Sequence, residues 1–200
     1  MSIRKKILAI SIGPVLVLGV ITLLFMLTMV KSSLMDEVQD ALKGTAAATL
    51  AAYDQNTGDY LESTNGDIWK GSYNISKSES LVDRIKENTG MDVTFFYGNK
   101  RIMTSALDKK GNRILGSEAG ERVVNQVIKG KKPFFSTNVS LDGTRNYGYF
   151  IPVYQNGTTD QVIGMVFVGT NKARKDAIVN KILGSIMMAL LVVMLLCIVT

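Results

Sequence analysis

The stretch that decides the fold runs from Lys132 to Thr170 and reads KPFFSTNVSLDGTRNYGYFIPVYQNGTTDQVIGMVFVGT. Three runs within it are rich in β-branched and aromatic residues, and they predict three strands. Asp142-Gly143 is a strong hairpin signal between the first two runs, and Asn156-Gly157 starts the turn before the third. Because strands joined by hairpins run antiparallel, this stretch predicts an antiparallel sheet. The predicted strands are Lys132–Leu141, Thr144–Tyr154 and Gln161–Thr170.

Upstream residues add a second hairpin and short helices. Asp92–Ser105 is interpreted as a hairpin that turns at Gly98-Asn99, and Glu118–Lys129 as a helix. A short helix capped by Ser78 or Ser80 is predicted through Lys86, whereas Tyr60–Ser76 is interpreted as irregular. With a long helix in front, the elements predict an α+β domain in which helices cover an antiparallel sheet.

The long helix is predicted from Lys31 to about Gln55, with small and apolar residues in a heptad pattern. Two interpretations of this seam stay open, and both can hold over different lengths. It is an interface between two copies that carries motion toward the membrane, or it packs on its own domain. The seam residues are Leu34, Val38, Ala41, Thr45, Ala48 and Ala52.

Two uncharged apolar runs flank this domain, Ile7–Val30 and Ile182–Thr200. A helix of about 20 residues crosses a bilayer core. The first run is too long for the apolar region of a signal peptide, which is roughly 7–15 residues. We therefore predict transmembrane helices over residues 7–30 and 182–200. Residues 1–6 are then a cytoplasmic N-terminus, and residues 31–181 an extracytoplasmic domain.

The orientation follows from Arg4, Lys5 and Lys6, because basic residues beside a span favour the cytoplasmic side. The sequence thus predicts a multi-pass protein of the cell (cytoplasmic) membrane, in contact with membrane lipid. The chain ends at the second apolar run with no flanking charge. We therefore expect it to be the front part of a longer protein, with a downstream cytoplasmic signalling domain absent from this chain.

The composition excludes several kinds of catalytic and metal site. The sequence holds no histidine, and its one cysteine, Cys197, lies in the second apolar run. Ser-His-Asp and Cys-His catalysis, Cys/His zinc sites and disulfides within the chain are therefore excluded. We expect no enzyme activity, no catalytic residue, no metal and no cofactor. The segment between the runs carries a net charge of about +3, which is too mild for nucleic-acid binding.

Several segments carry a family resemblance: TG at 89–90, VTFF at 93–96, KRIMTS at 100–105, GNRILG at 111–116, Gly130, YGYFIPV at 147–153 and VIGMVFVG at 162–169. Taken together, they resemble the single-Cache ectodomains of bacterial methyl-accepting chemotaxis proteins and related sensor kinases. The resemblance spans roughly Leu34 to Thr170 in the family's order. It implies a PAS-like antiparallel sheet behind a long N-terminal helix, a homodimer, and a small-molecule pocket on one sheet face. The irregular segment and the short helices would bound that pocket.

One departure from the family bears on the ligand. Relatives that sense citrate and dicarboxylates carry Arg-x-x-His on the second strand, where this chain has Arg101 and Thr104. They also carry basic residues before the proline matched by Pro152, where this chain has Tyr149 and Phe150. Positive charge is therefore missing where a multivalent acid needs it. We expect a smaller monocarboxylate or another small organic acid, or an uncharged heterocycle.

Arg101 is the first candidate binding residue, because a guanidinium offers a planar fork to a carboxylate or an amide edge. Thr104 and Ser105 are further candidates on the same strand. On a flat strand Ser105 and Met103 share the face of Arg101, whereas Thr104 faces away. Arg101 and Thr104 can both reach one pocket only if the strand twists or bulges between them.

Aromatic side chains supply the remaining candidates. Tyr147 and Tyr149 share one strand face, and Phe150 lies on the other; one of these faces is expected to meet the pocket. Trp69 and Tyr73 lie in the irregular stretch, and loops on a scaffold often carry binding residues. For each of these side chains, ordinary packing is the competing interpretation.

The function expected from these features is extracytoplasmic small-molecule sensing and transmembrane signalling, as the ligand-binding part of a chemoreceptor. The alternatives are the sensor region of a membrane histidine kinase or of a cyclic-dinucleotide enzyme. A membrane-anchored enzyme and a structural ectodomain are further classes that fit less well.

Overall fold

The computed structural model describes residues 3–156 and 158–199. The chain forms two compact units, one from Met1–Glu37 with Arg174–Thr200 and one from Val38–Ala173. The second unit contains both β-sheets and the core of the domain. The turn residue Gly157 lies outside the described residues, so the turn predicted at Asn156-Gly157 is described only at its flanks.

Two long helices mark the ends of the described chain. Helix α1 runs over Ile3–Asp54 with Pro14 inside it, and helix α4 covers Lys172–Val199. Among the described residues, the stretches Val17–Asp54 and Lys172–Val193 each contain an 18-residue window apolar enough to cross a membrane, with mean hydropathies of 2.0 and 1.8. Length and apolar composition therefore make both helices candidate membrane spans.

The main sheet has five strands in the order β5-β4-β8-β7-β6, and every neighbouring pair is antiparallel. Central strand β8 pairs with β4 on one side and with β7 on the other. It thereby joins the β4–β5 hairpin to the β6–β7 hairpin in one sheet. This sheet and α1 confirm the predicted α+β class with a long N-terminal helix and antiparallel strands. The strands are β4 Asp92–Tyr97, β5 Lys100–Thr104, β6 Phe134–Leu141, β7 Thr144–Tyr154 and β8 Val162–Asn171.

The hairpin turns form where the sequence places them. Gly98 has φ +57° between β4 and β5, and Asp142 and Gly143 have φ values of +45° and +76° between β6 and β7. Consecutive positive φ values define the tight turn that matches the twist of two antiparallel strands. Glycine and aspartate tolerate this backbone better than other residue types do.

One face of the main sheet is covered by the C-terminal part of α1. Tyr53 of α1 meets Phe95 of β4 edge-on, with ring centres 5.1 Å apart. The buried residues of this part of α1 are Leu42, Ala46, Thr49 and Tyr53. The heptad seam runs beside this stripe, and its members Ala41 and Ala48 are exposed. The helix therefore packs on its own domain mainly through residues other than the seam.

The segment interpreted as irregular is in fact ordered. It forms a second, three-stranded antiparallel sheet of β1 Tyr60–Glu62, β2 Ile68–Lys70 and β3 Tyr73–Asn74. These strands are only two or three residues long, so no alternating pattern could develop in the sequence. Contacts hold them in place instead: the Tyr60 ring stacks on Phe95 with centres 5.8 Å apart.

The predicted helices differ in their details. Helix α2 spans Glu79–Thr89 and ends at Gly90, which adopts the left-handed conformation with φ +68°. Ser78 precedes it without a side-chain cap, because its hydroxyl bonds the carbonyl of Ile75 at 2.7 Å. The helix predicted over Glu118–Lys129 is a short α3, Glu121–Val123, continued by a π-helix over Val124–Lys129.

Candidate functional site

A cavity of about 550 Å³ lies on the sheet face opposite α1. Strands β4, β5, β6, β7 and β8 provide its floor and one wall, and residues 118–123 before the π-helix provide the other. This volume falls within the roughly 300–1,000 Å³ of small-molecule sites. The cavity is therefore the candidate binding site of the domain.

Phenylalanine rings form the apolar floor of the cavity. Phe150 of β7 lies 4.7 Å from Phe167 of β8 and 6.4 Å from Phe134 of β6, measured between ring centres. The Phe167 ring lies against the backbone of two glycines: an added Cβ would come within 2.5 Å of it at Gly148 and 2.4 Å at Gly169. The missing side chains at these glycines let the ring lie flat on the sheet and keep the cavity open.

Arg101 lies at the β5 edge of the cavity and is only 8% exposed. Its Nη1 donates to the carbonyl of Ile114 at 3.3 Å, while its buried Nε has no hydrogen-bond partner. No carboxylate among the described residues lies within ion-pair distance of it. Burial lowers the pKa of Arg101, and the more distant charge of Asp92 opposes that shift. The guanidinium thus enters the cavity wall with its charge uncompensated.

A β-bulge aims Arg101 at the cavity. Arg101 pairs with Phe96 and Met103 pairs with Phe95, and the register shifts between these two pairs. The extra residue, Ile102, turns Arg101 onto the cavity face while Met103 stays on the α1 face. The alternation expected for a flat strand is therefore broken at Ile102. The guanidinium carbon lies 5.4 Å from the centre of the Phe96 ring, a favourable distance for a cation–π contact.

Thr104 and Ser105 do not line the cavity. The bulge places Thr104 on the same sheet face as Arg101. Its hydroxyl, however, lies 2.7 Å from that of Thr94 and accepts a hydrogen bond from the backbone amide of Ala106 at 3.1 Å. Ser105 accepts the amide of Val93 at 2.9 Å. Both side chains are buried and hydrogen-bonded within the domain, so their observed contacts are structural.

Of the β7 aromatics, Phe150 lines the cavity, whereas Tyr147 and Tyr149 lie on the opposite face of the strand. Tyr147 stacks on Phe135 with ring centres 6.4 Å apart. Its hydroxyl accepts a hydrogen bond from Lys172 Nζ at 2.6 Å. The two tyrosines therefore face the α1 side of the sheet, not the cavity, because alternation along β7 gives that side to odd-numbered residues.

Trp69 and Tyr73 also lie away from the cavity. Trp69 is in β2 and Tyr73 is in β3 of the small sheet, and the Tyr73 ring packs 6.2 Å from Tyr53 of α1. The small sheet therefore packs with α1 and does not border the cavity as expected from the resemblance. Residues 118–123 and strand β6 take that place.

The cavity also contains residues that the sequence did not single out. Glu118 and Arg122 stand at its mouth and are exposed, and the Arg122 guanidinium lies 5.3 Å from the Phe134 ring centre. The phenylalanines could have been found from Phe150, since strand alternation assigns its pairing partners to the same face. They are Phe134 and Phe167.

The arrangement is suited to binding a small molecule. Among the described residues, no group of three His, Cys, Asp or Glu side chains could hold a metal ion. An uncompensated guanidinium above an apolar floor is suited to orienting a ligand that carries charge at one end.

Comparisons with known proteins agree with this fold. The family model for single Cache domain 3 matches residues 73–182. An extracellular ligand-binding receptor from Desulfohalobium retbaense has a similar structure, with a TM-score of 0.53 and 14% sequence identity. The match covers 77% of this chain but only 26% of that receptor. No curated protein matches the sequence.

The matched family model extends over more than half of the chain, from Tyr73 in β3 through the main sheet into α4. The similar structure supports the same fold independently of sequence. This chain belongs to the single Cache domain 3 family.

Proposed function

We propose that the chain is the sensing part of a transmembrane chemoreceptor and that its cavity binds a small metabolite outside the cytoplasm. The observation that carries the proposal is Arg101, a buried guanidinium without an ion-pair partner among the described residues, beside a phenylalanine floor. A buried charge without a partner is costly in a finished core. A ligand that pairs with Arg101 would offset this free-energy cost.

The proposal includes the membrane topology expected from the sequence. Residues 7–30 and 182–200 span the cell membrane, and residues 31–181 face the extracytoplasmic side. Two observations support it: the described parts of these segments are helical and apolar, and Arg4, Lys5 and Lys6 flank the first on its N-terminal side. The chain then works by binding and not by turnover, in contact with lipid on both helices.

Transmission toward the membrane follows from chain continuity. Strand β8 ends at Asn171 and helix α4 begins at Lys172, so no flexible linker separates the sheet from the helix. A ligand shifts a two-state equilibrium only by its difference in affinity for the two states. We propose that cavity filling changes the position of β8 and thereby of the start of α4.

A homodimer is part of this proposal, and its interface is the partly exposed heptad seam of α1. Small residues at Ala41 and Ala48 would let two helices approach closely. We propose a methyl-accepting output domain and keep a kinase core as the alternative, because the resemblance includes ectodomains of both classes. The sequence of the output domain discriminates them, since a methyl-accepting coiled coil and a kinase core have different patterns.

The test is a thermal-unfolding screen of the full 200-residue chain in lipid nanodiscs against small acids, amino acids and nucleobases. A ligand at a hundredfold excess over its dissociation constant stabilises the folded state by about 2.7 kcal/mol. We expect at least one stabilising compound, whose effect is lost in Arg101→Ala and kept in Arg84→Ala, an exposed arginine of α2. The absence of any stabilising compound, or equal loss in both variants, contradicts the proposal.

A further inference from the structure

Few charged side chains border the cavity, and they differ in how deeply they are buried. Arg101 is buried at one edge, whereas Glu118 and Arg122 are exposed at the mouth. The two mouth charges are opposite in sign, so they offset one another and leave one net positive charge, that of Arg101. A ligand with one negative group neutralises the site, and a second carboxylate would have no second buried positive charge to pair with.

The guanidinium N–H groups and the charge of Arg101 favour an anionic ligand over a neutral one. Its side chain makes one long hydrogen bond to the described residues, from Nη1 to Ile114, and its Nε makes none. A neutral ligand that fills the cavity removes the remaining water and leaves the charge uncompensated. A carboxylate supplies the missing countercharge and accepts hydrogen bonds from the planar fork. The buried charge therefore favours an acid over an uncharged heterocycle.

The apolar part of the lining indicates the body of the ligand. Five phenylalanines border the cavity beside the polar residues of β6, and four of them have their rings on the cavity face of the sheet, with spacings of 4.7 Å and 6.4 Å between those of β6, β7 and β8. Aromatic rings prefer tilted or offset neighbours at such distances. An acid of two or three carbons would leave most of the roughly 550 Å³ unfilled and the phenylalanine rings uncovered. The rings are Phe96, Phe134, Phe150 and Phe167.

We infer that the cavity takes a monocarboxylate with an aromatic body, whose carboxylate pairs with Arg101 and whose ring lies among Phe134, Phe150 and Phe167. This inference rests on the proposed ligand-binding function and narrows the ligand to one class. It selects among the small acids and heterocycles that the sequence left open, and it favours a larger body than a short-chain acid.

Four matched compounds test it by isothermal titration calorimetry on the full chain in lipid nanodiscs. The probe is 3-phenylpropionate, and 3-phenylpropionamide removes only its charge. Acetate keeps the carboxylate but lacks the aromatic body and one methylene group, and benzylsuccinate adds a second carboxylate. We expect 3-phenylpropionate to bind at least tenfold more tightly than each of the other three.

Two variants locate the binding. Arg101→Met keeps an unbranched apolar side chain and is expected to bring the acid and its amide within threefold of each other. Phe134→Leu, at a half-buried ring of edge strand β6, is expected to weaken 3-phenylpropionate severalfold and leave acetate unchanged. Circular dichroism and thermal unfolding without ligand check that both variants fold.

The outcomes separate this inference from the broader proposal. Equal or tighter binding of the amide, of acetate or of benzylsuccinate overturns the inference but leaves a ligand-binding cavity. Binding of 3-phenylpropionate that Arg101→Met does not alter also overturns it, because the acid is then held elsewhere. If neither these four compounds nor the broader metabolite screen gives saturable binding, the inference and the proposed function fail together.

Discussion

Lys172 Nζ donates a hydrogen bond to the hydroxyl of Tyr147 over 2.6 Å and lies 4.2 Å from the centre of the same ring. Lys172 is the first residue of α4, and Tyr147 stacks on Phe135, which borders the cavity. The start of the helix is thus tied to the sheet at a strand other than the one that precedes it. This contact gives the cavity wall a second connection to the helix.

Removing that hydroxyl is expected to loosen the strand–helix junction without altering ligand affinity. Tyr147→Phe keeps the ring and its stacking but removes one hydrogen bond, which contributes roughly 0.5–1.5 kcal/mol. Hydrogen exchange measured by mass spectrometry should become faster across residues 169–174 and stay unchanged in β4. Tyr154→Phe is the control, because the hydroxyl of Tyr154 bonds the carbonyl of Lys131 away from α4. Equal exchange in the two variants would contradict a role for the contact.

The buried hydroxyl pair of Thr94 and Thr104 is expected to stabilise the fold and not to contact ligand. Thr104→Val leaves the amide of Ala106 and the hydroxyl of Thr94 without a partner, at a cost of about 1–3 kcal/mol. The double variant with Thr94→Val should cost less than the sum of the single changes, because no hydroxyl is then stranded. Thermal unfolding measures this coupling. A specific loss of ligand affinity at full folding would instead place Thr104 in the binding site.

Adding one carbon at Gly148 is expected to reduce the size of the cavity. The new Cβ would lie 2.5 Å from Phe167 and 2.8 Å from Val139, so the Phe167 ring must move toward the ligand. Overpacking of this kind costs about 1–3 kcal/mol. Gly148→Ala should therefore lower both stability and affinity for a bulky ligand.

Gly44→Ala is its matched control. Gly44 lies inside helix α1, and nothing is within 4 Å of the added carbon. The change should stabilise the helix by roughly 0.5–1 kcal/mol and leave ligand binding unchanged. If Gly148→Ala bound a bulky ligand as tightly as Gly44→Ala, the Phe167 ring would not set the cavity size.

The ion pair of Asp83 and Arg113 predicts an acid-sensitive contribution to stability. Arg113 Nη1 lies 2.9 Å from Asp83 Oδ1 and also donates to the carbonyl of Thr104 at 2.7 Å. Hydrogen bonding to Arg113 holds the pKa of Asp83 below its usual value. A carboxyl whose pKa is lower in the folded state stabilises the fold above its unfolded pKa of about 3.9. That contribution is lost as the pH falls through the folded pKa.

Asp83→Asn should therefore be less stable than the wild type at pH 7, by roughly 0.5–1 kcal/mol for a partly exposed pair. The difference should decrease below about pH 4 and disappear at lower pH. Thermal unfolding of both proteins across this pH range provides the measurement. A difference that persists at the acid end would mean that Asn disturbs packing and not charge.

Cysteine crosslinking tests the proposed homodimer. In a Cys197→Ser background, Ala48→Cys on the seam should form disulfide-linked dimers in membranes, since both seam positions Ala41 and Ala48 are exposed. Ala47→Cys is equally exposed but points about 100° around the helix, so it should crosslink much less. Equal crosslinking at the two positions would indicate random collision and not a seam.

Much of the main sheet could be predicted from local patterns. The strands of β7 and β8 alternate or run apolar over ten or more residues, and Asp142-Gly143 supplies the backbone of a tight turn. These signals are contained in neighbouring residues, so a single sequence shows them. The predicted bounds of β7, Thr144–Tyr154, are those of the structure.

The site was less predictable because it depends on one inserted residue and on long-range pairing. Ile102 carries no mark of a bulge, yet it decides that Arg101 and Thr104 share a face. The small sheet forms through contacts with α1 and β4, which the sequence does not show. The sequence correctly predicts that Tyr147 and Tyr149 lie on one face of β7 and Phe150 on the other. Which of these faces meets the cavity depends on where α1 packs.

The position of β6 has an evolutionary consequence. It is an edge strand with β7 as its single neighbour in the main sheet, and its register shifts between Ser136 and Val139. Residues there border the cavity, while strands β4, β8 and β7 each have a neighbour on both sides. Substitutions at the exposed β6 positions Thr137, Asn138 and Ser140 can therefore change the cavity lining without touching the core. Across a lineage, receptors of this architecture could acquire new stimuli through changes in a single edge strand.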